Sequence, residues 1–331
     1  KEGRRFMQKR GLRDVKRRNR HVIIQSIMDS GLLSRVEISQ KTGLAPSTVS
    51  PLVAELLEQG LLTEGGSQVT AGRSRTELML NPNYGCIAVV EVGRSGVGVS
   101  LFDMALELLE HSTLSASYLS GNELLDAIIK AAAPFRTESR PLAGIGLLFQ
   151  EDMRESDFRV MYSTGFASAS ITLKEALISE FRIPVFEDYA QIYTVKDALG
   201  ERKQVNNSAQ ITLGERVVVA VTQQDQPVPI RSDFFESGTR CLEDLVPEDA
   251  YAEKLGILVA LLCSLFLIQN VFLSCGEGLR EQLGSRLQEQ LQKRLPPERV
   301  PEVHLLMRRQ TERCAVLYAR RLRSDILFNR G

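Results

Sequence analysis

Residues 34–60 constrain the fold more than any other stretch of the chain. Ser34-Arg35-Val36-Glu37 has the form of a capping box, in which the Ser34 hydroxyl bonds the Glu37 amide while the Glu37 carboxylate reaches back. Ile38 starts the apolar face of a short helix that runs to about Thr42. Gly43-Leu44-Ala45 reads as a tight turn, and Pro46 suits a first helical position. Val49, Val53, Leu56 and Leu57 then mark the buried face of a helix ending at Gly60. Two short helices joined by a glycine turn make a helix-turn-helix. A preceding helix is predicted from Val22, Ile23, Ile27 and Met28, stopping at Gly31.

Beyond this unit, Leu61–Glu64 and Gln68–Thr70 flank Gly65-Gly66-Ser67, which reads as the turn between two short strands of a wing. Ala71-Gly72-Arg73-Ser74-Arg75 follows, then a strand at 77–80 and a break at Asn81-Pro82-Asn83 that sets the domain boundary. In a helix-turn-helix the N-terminal side chains of the second helix enter the major groove, so Ser47, Thr48 and Ser50 are the candidates for base edges and phosphates. Arg73 and Arg75 would enter a minor groove or neutralise phosphates, as would Lys41 and Arg20. Two features fit this reader poorly. Pro51 falls inside the helix, removing an amide and crowding the Ser47 carbonyl, and predicts a kink. Ala45 stands where Ser, Thr or Asp would cap.

Charge supports a nucleic-acid partner. The chain balances 41 basic against 41 acidic residues, yet residues 1–20 hold ten Lys or Arg against Glu2 and Asp14, a net of +8. A basic arm over 1–19 would be drawn to phosphate by counterion release, a solvated tail being the competing reading. At 331 residues with 43% hydrophobic composition, two folded domains are expected, and disordered or fibrous classes are excluded. The longest apolar run, 255–268, is too short for a bilayer and reads as a buried helix. No basic-then-apolar segment opens the chain. Five scattered Cys without CxxC spacing form neither a disulfide framework nor a zinc knuckle, so a cytoplasmic protein is expected.

The run from Leu33 to Ser50, followed by Leu56-Leu57-Glu58-Gln59-Gly60-Leu61-Leu62 and Ala71-Gly72-Arg73, resembles the N-terminal domain of ROK-family transcriptional regulators, a family of repressors and sugar kinases. The resemblance implies a winged helix-turn-helix over 20–80, then an α/β two-lobed actin-like (ribonuclease H-like) ROK domain over 84–331. The pattern of the remaining residues suits it. Strands are expected at 86–90, 97–102, 106–112, 142–149, 184–186, 208–213, 216–222 and 271–274. Helices are expected at 123–133, 173–181, 251–268, 279–293 and 312–327.

Measured against the family, the catalytic motifs are altered. The Asp-x-Gly-Gly-Thr phosphate loop corresponds to Glu91-Val92-Gly93-Arg94-Ser95, and a second loop to Leu213-Gly214-Glu215-Arg216-Val217, so ATP use is expected to be lost. The Asn-Asp pair that carries the family's catalytic base falls in Phe186-Glu187-Asp188-Tyr189-Ala190. An ungapped match places Tyr189 and Ala190 on the pair, and a one-residue gap preserves Asp188. Glu187 and Asp188 are the candidate ligand-binding residues, with a solvated loop at a strand end preferred over a retained base. Gly144-Ile145-Gly146 reads as core and not as a ligand loop. Of the zinc motif only Cys241-Leu242-Glu243 survives, and one thiol cannot make a site that needs four N or S ligands. Cys275-Gly276-Glu277-Gly278 matches a late glycine turn and reads as scaffold.

These features predict a DNA-binding transcriptional regulator, a repressor, and no enzyme. It would have no cofactor or metal, a double-stranded DNA operator as partner, a homodimeric or tetrameric assembly, no membrane contact, and a sugar-like small molecule as effector. The competing classes are a ROK sugar kinase with a DNA-binding head and a regulator controlled by a protein partner.

Overall fold

A computed structural model describes residues 2–70, 73–93, 96–115, 119–135, 141–150, 159–164, 167–199, 207–213, 217–224, 226–228, 248–274, 280–306 and 311–329. The head comprises α1 (Glu2–Ser30), β1 (Leu33–Ser34), α2 (Arg35–Thr42), α3 (Pro46–Glu58), β2 (Leu62–Thr70) and β3 (Arg73–Leu80). Ile23, Ile24 and Ile27 of α1 meet Ile38 of α2, Val49, Val53 and Leu56 of α3, and Leu62 and Leu78 of the hairpin in one buried cluster. The capping box forms as expected: the Glu37 amide donates to Ser34 Oγ at 3.4 Å and the Ser34 amide to Glu37 Oε2 at 2.8 Å. Gly43 ends α2 at φ 68°, a left-handed conformation that glycine adopts without a Cβ clash.

Three local details differ from the sequence reading. The basic segment is helical and continuous with the first packed helix, so α1 has 29 residues and is roughly 43 Å long at about 1.5 Å per residue. The wing does not turn at Gly65-Gly66-Ser67. Instead β2 runs through these residues, with a register shift between Glu64 and Gly66, and pairs β3 as far as Thr70 opposite Arg73. Gly65 is small because Leu32 Cδ2 and Met79 Sδ occupy the space of a side chain there. Finally, α3 passes through Pro51 unbroken.

At the boundary, Asn81 Nδ2 donates to Gly60 O at 2.8 Å and Asn81 Oδ1 accepts the Asn83 amide at 3.0 Å, fixing the exit from the head. Two lobes of one topology follow. The first contains β4 (Cys86–Gly93), β5 (Gly96–Asp103), β6 (Leu108–Ser115), α4 (Gly121–Ala132), β7 (Leu142–Phe149), a hairpin of β8 (Arg159–Thr164) and β9 (Ala167–Thr172), α5 (Leu173–Phe181), β10 (Val185–Tyr189) and α6 (Ala190–Leu199). The second contains β11 (Ser208–Leu213), β12 (Val217–Gln223), β13 (Gln226–Val228), α7 (Glu248–Phe266), β14 (Asn270–Ser274), α8 (Arg280–Arg294) and β15 (Glu302–Leu306). The final helix is α9 (Thr311–Asn329). The sheets are ordered β6-β5-β4-β7-β10 and β13-β12-β11-β14-β15, each an antiparallel meander extended by two parallel strands. The hairpin β8–β9, α6, β13 and β15 were not anticipated.

Alternation along β4 divides the first core. Cys86, Ala88, Val90 and Val92 pack with residues of α4 and α5, while Ile87 and Val89 pack with α6 and α9. On the latter face Gly144 and Gly146 of β7 admit α9 against the sheet: a Cβ on Gly146 would meet Leu322 Cδ1 and, at 2.6 Å, Tyr318 Cε1. Gly144-Ile145-Gly146 is therefore packing, as its sequence suggested. The far end of α9 then enters the head, with Leu327 in the head's core cluster and the Phe328 ring 4.8 Å from that of His21.

Helix α7 is buried on one side only. Leu255, Val259 and Leu262 are in the second lobe's core, whereas Ile257, Leu261 and Leu265 are 46%, 57% and 67% exposed. Among the described residues no helix is long and apolar enough to cross a membrane.

Candidate functional site

Ser47 and Ser50 lie exposed on the first turns of α3, and Thr48 is partly buried between them. Ala45 precedes the helix in an extended conformation without a side-chain cap, and no acidic residue occupies the first turn. The positive end of the helix dipole is thus uncovered beside two hydroxyls. Lys41 at the end of α2 donates to Ser30 Oγ at 2.6 Å. Arg20 is tied inward: its Nη1 is 3.9 Å from Glu55 Oε1, and Lys16 Nζ is 2.7 Å from Glu55 Oε2. The hydrogen bond from Lys16 is the main reason the Glu55 carboxyl is held below its ordinary range. Arg73 and Arg75 belong to the second strand of the wing hairpin and not to a segment after it; their side chains lie outside the described residues.

The second cluster lies at the carboxy end of β10. Strand alternation turns Asp188 away from Glu187 and Tyr189, into the space between α6 and α9, where it is 7% exposed. The solvated-loop reading is therefore incorrect for Asp188, because residue 188 is in a paired strand opposite Leu148. Tyr193 OH donates to Asp188 Oδ2 at 2.6 Å, Arg321 Nη1 donates to the same oxygen at 2.7 Å, and the Tyr189 amide donates to Oδ1 at 2.9 Å. Burial, with the Asp188 charge, pushes the Tyr193 phenol well above its ordinary range. The Tyr318 ring is 5.2 Å from that of Tyr193, and its hydroxyl is buried without a hydrogen-bond partner. Glu187 points to the opposite face, 3.9 Å from Lys174 Nζ, and burial raises its carboxyl against the pull of that lysine. Tyr189 is 38% exposed at the strand end.

Glu91, at the position of the first phosphate-loop acid, is on β4 opposite Gly98 of β5, and burial raises its carboxyl. Residues 94–95, 214–216, 241–243 and 275–278 lie outside the described residues. Among the described residues no group of three His, Cys, Asp or Glu is placed to hold a metal.

A family model described as the IclR helix-turn-helix domain matches residues 28–66. The chain is 24% identical to the xylose repressor of Bacillus subtilis over 215 residues, 62% of this chain and 56% of that protein. It is 26% identical to the DNA-binding transcriptional dual regulator NagC of Escherichia coli over 177 residues, 52% of this chain and 44% of that protein. The chain thus spans about half the length of the curated relatives it matches. A crystal structure of a ROK family transcriptional regulator, a homologue of the Escherichia coli MLC protein, superposes over 96% of this chain and 98% of its own at TM-score 0.65 and 14% identity. The chain has the fold of a ROK-family transcriptional regulator. Without the head, the same fold matches a candidate sugar kinase from Cytophaga hutchinsonii over 72% of this chain, at TM-score 0.52 and 13% identity.

Within this ROK fold, sequence reasoning found Asp188 but missed the groups that enclose it. Tyr193 belongs to a helix that was not anticipated, and Arg321 is 133 positions away in sequence. The only local signal was the basic run Arg320-Arg321-Leu322-Arg323, which names no partner.

Proposed function

We propose that this protein is a sequence-specific DNA-binding transcriptional regulator, a repressor working in the cytoplasm. Its segments are 1–19 (basic), 20–80 (winged helix-turn-helix) and 84–331 (ROK-like effector and oligomerisation domain). The observation that carries the reading is the uncapped start of α3, which presents the exposed Ser47 and Ser50 on the second helix of a helix-turn-helix. Ser47, Thr48 and Ser50 contact base edges and phosphates, while Lys41, Arg20, Arg73 and Arg75 neutralise backbone charge. Arg20 also orients α1 against α3 through Glu55. Two copies related by a two-fold axis place their α3 helices in successive major grooves, about 34 Å apart. The apolar stripe Ile257, Leu261 and Leu265 supports an oligomer.

The ROK-like domain senses a small, sugar-like metabolite and does not turn it over. Asp188 is buried and shared between Tyr193 and Arg321, so its carboxylate is not presented to a substrate hydroxyl, and Tyr189 ends the strand in its place. The likeness to a candidate sugar kinase favours one second reading, a kinase with a DNA-binding head. A coupled assay across common hexoses with Mg-ATP separates the two: the repressor reading expects no turnover.

The test of the main reading is selection of genomic DNA fragments bound by the purified protein, with Ser47→Ala plus Thr48→Ala as the comparison and at two salt concentrations. A discrete, near-palindromic motif that vanishes in the double variant is expected. Diffuse binding with steep salt dependence in both proteins would overturn sequence readout by α3.

A further inference from the structure

A cavity of about 980 Å³ lies where the head meets the ROK-like domain, with walls from α1, β3, the β5–β6 turn, α6 and α9. One side is cationic. Lys196 of α6 and Arg320, Arg321 and Arg323 of α9 line it, against a single lining carboxylate, Asp29, whose Oδ1 accepts from Gln25 Nε2 at 2.8 Å. Arg321 is committed to Asp188. Arg323 is 7% exposed, its Nη1 donates to Met104 O at 2.8 Å, and its Nε is buried with no hydrogen-bond partner. Among the described residues no carboxylate is within ion-pair distance of this guanidinium. Burial and the neighbouring Arg320 lower its pKa to about 10, and the more distant Asp103 and Asp29 oppose that shift. A buried, unpaired guanidinium is costly unless something anionic completes it. The opposite wall is apolar and adaptable, carrying Met28, Met79, Met104 and Leu106.

We infer that this junction cavity binds a small organic anion, with a carboxylate or phosphate headgroup on Arg320 and Arg323 and an apolar body against the three methionines. Planar guanidinia match such headgroups in bidentate geometry, and the volume suits a ligand of metabolite size. Its walls include no residue of β11–β15, α7 or α8 of the second lobe. Because the head and the ROK-like domain both contribute walls, an anion seated there couples head orientation to ligand concentration wherever its affinity differs between DNA-bound and free states.

The experiment titrates the full chain, without DNA, with the fluorescent anion anilinonaphthalene sulfonate, then displaces it with octanoate and, separately, octyl phosphate. Saturable binding of one probe per chain is expected, displaced by at least one of the two, the stronger competitor identifying the headgroup. Arg323→Met is expected to weaken the probe about tenfold or more. Should that variant fail to fold, Arg320→Ala with Ser324→Tyr, which removes a rim charge and adds bulk, is expected to do the same. Lys254→Ala with Lys293→Ala, on the second lobe, is expected to leave binding unchanged. Retained affinity in the folded cavity variants, equal loss in the second-lobe pair, or displacement by neither competitor would overturn the inference. Because the readout needs no operator, its failure is distinct from a failure of the repressor reading.

Discussion

Arg321 on the last helix donates to Asp188 at the end of β10 across 2.7 Å, joining residues from distant parts of the sequence in one part-buried cluster. The pair converts a strand-end carboxylate into a packing element. Asp188 is 7% exposed while the Arg321 side chain is 43% exposed, so the acid depends on the base more than the reverse. Arg321→Ala is expected to lower unfolding free energy in urea by about 1–3 kcal/mol, the range for a charged hydrogen bond lost from a buried acceptor. Asp188→Asn keeps an acceptor for Tyr193 and is expected to lose less. Equal stability of all three proteins would show that the cluster contributes nothing to the fold.

Gly146→Ala tests the seat of α9. A methyl there collides with Leu322 and Tyr318, so overpacking is expected to cost about 1–3 kcal/mol. Leu322→Ala in the same chain removes one colliding group, and the two changes together are expected to cost less than their sum. Thermal melts of the four proteins of the cycle measure this.

Ala45→Ser and Ala45→Asp separate stability from DNA affinity. Each supplies the absent cap of α3 and is expected to stabilise the chain by about 1 kcal/mol. Only Asp puts a negative charge where phosphate would sit, so only Ala45→Asp is expected to weaken operator binding in a gel-shift titration.

His21 predicts an acid sensitivity of the contact between α1 and α9. Burial, then Arg17 and Arg20, hold its pKa below the ordinary 6.5, so the neutral ring is favoured in the folded state. The stability it contributes is full above pH 6.5 and is lost as pH falls through the lower folded value. Melting temperature is expected to drop less between pH 7.5 and 5.5, measured by calorimetry, in His21→Phe than in the parent.

Leu261→Glu with Leu265→Glu places charges on the exposed stripe of α7. Light scattering is expected to show a smaller assembly at unchanged helix content. An unchanged mass would place the oligomer contact elsewhere.

Much of the head was legible because its signals are local. Ser34 and Glu37 are three residues apart, and Gly43 and Pro46 act on their own backbone. The wing was misread for an instructive reason: Gly65-Gly66-Ser67 has turn composition, but Gly65 serves a close approach of Leu32 and Met79 that no local pattern reveals. Most of the ROK-like strands were legible as short apolar runs, though not their order in the sheets. The strands β13 and β15 were not legible, since β13 has three residues and the five of β15 are interrupted by His304, whereas the equally short β14 contains a continuous apolar run. Asp188 was found as a residue and mistaken in its environment, because its partner Arg321 lies in a helix that only the tertiary fold brings near.

The seating of Leu327 and Phe328 beneath α1 bears on biosynthesis. The head comes first in the sequence, and domains emerging from the ribosome fold in that order. Here the head's apolar interior lacks a wall until residue 327 has been made, 247 residues after β3 is complete. A nascent chain therefore carries an unfinished head core, closed only once the last helix of the ROK-like domain has packed beside it.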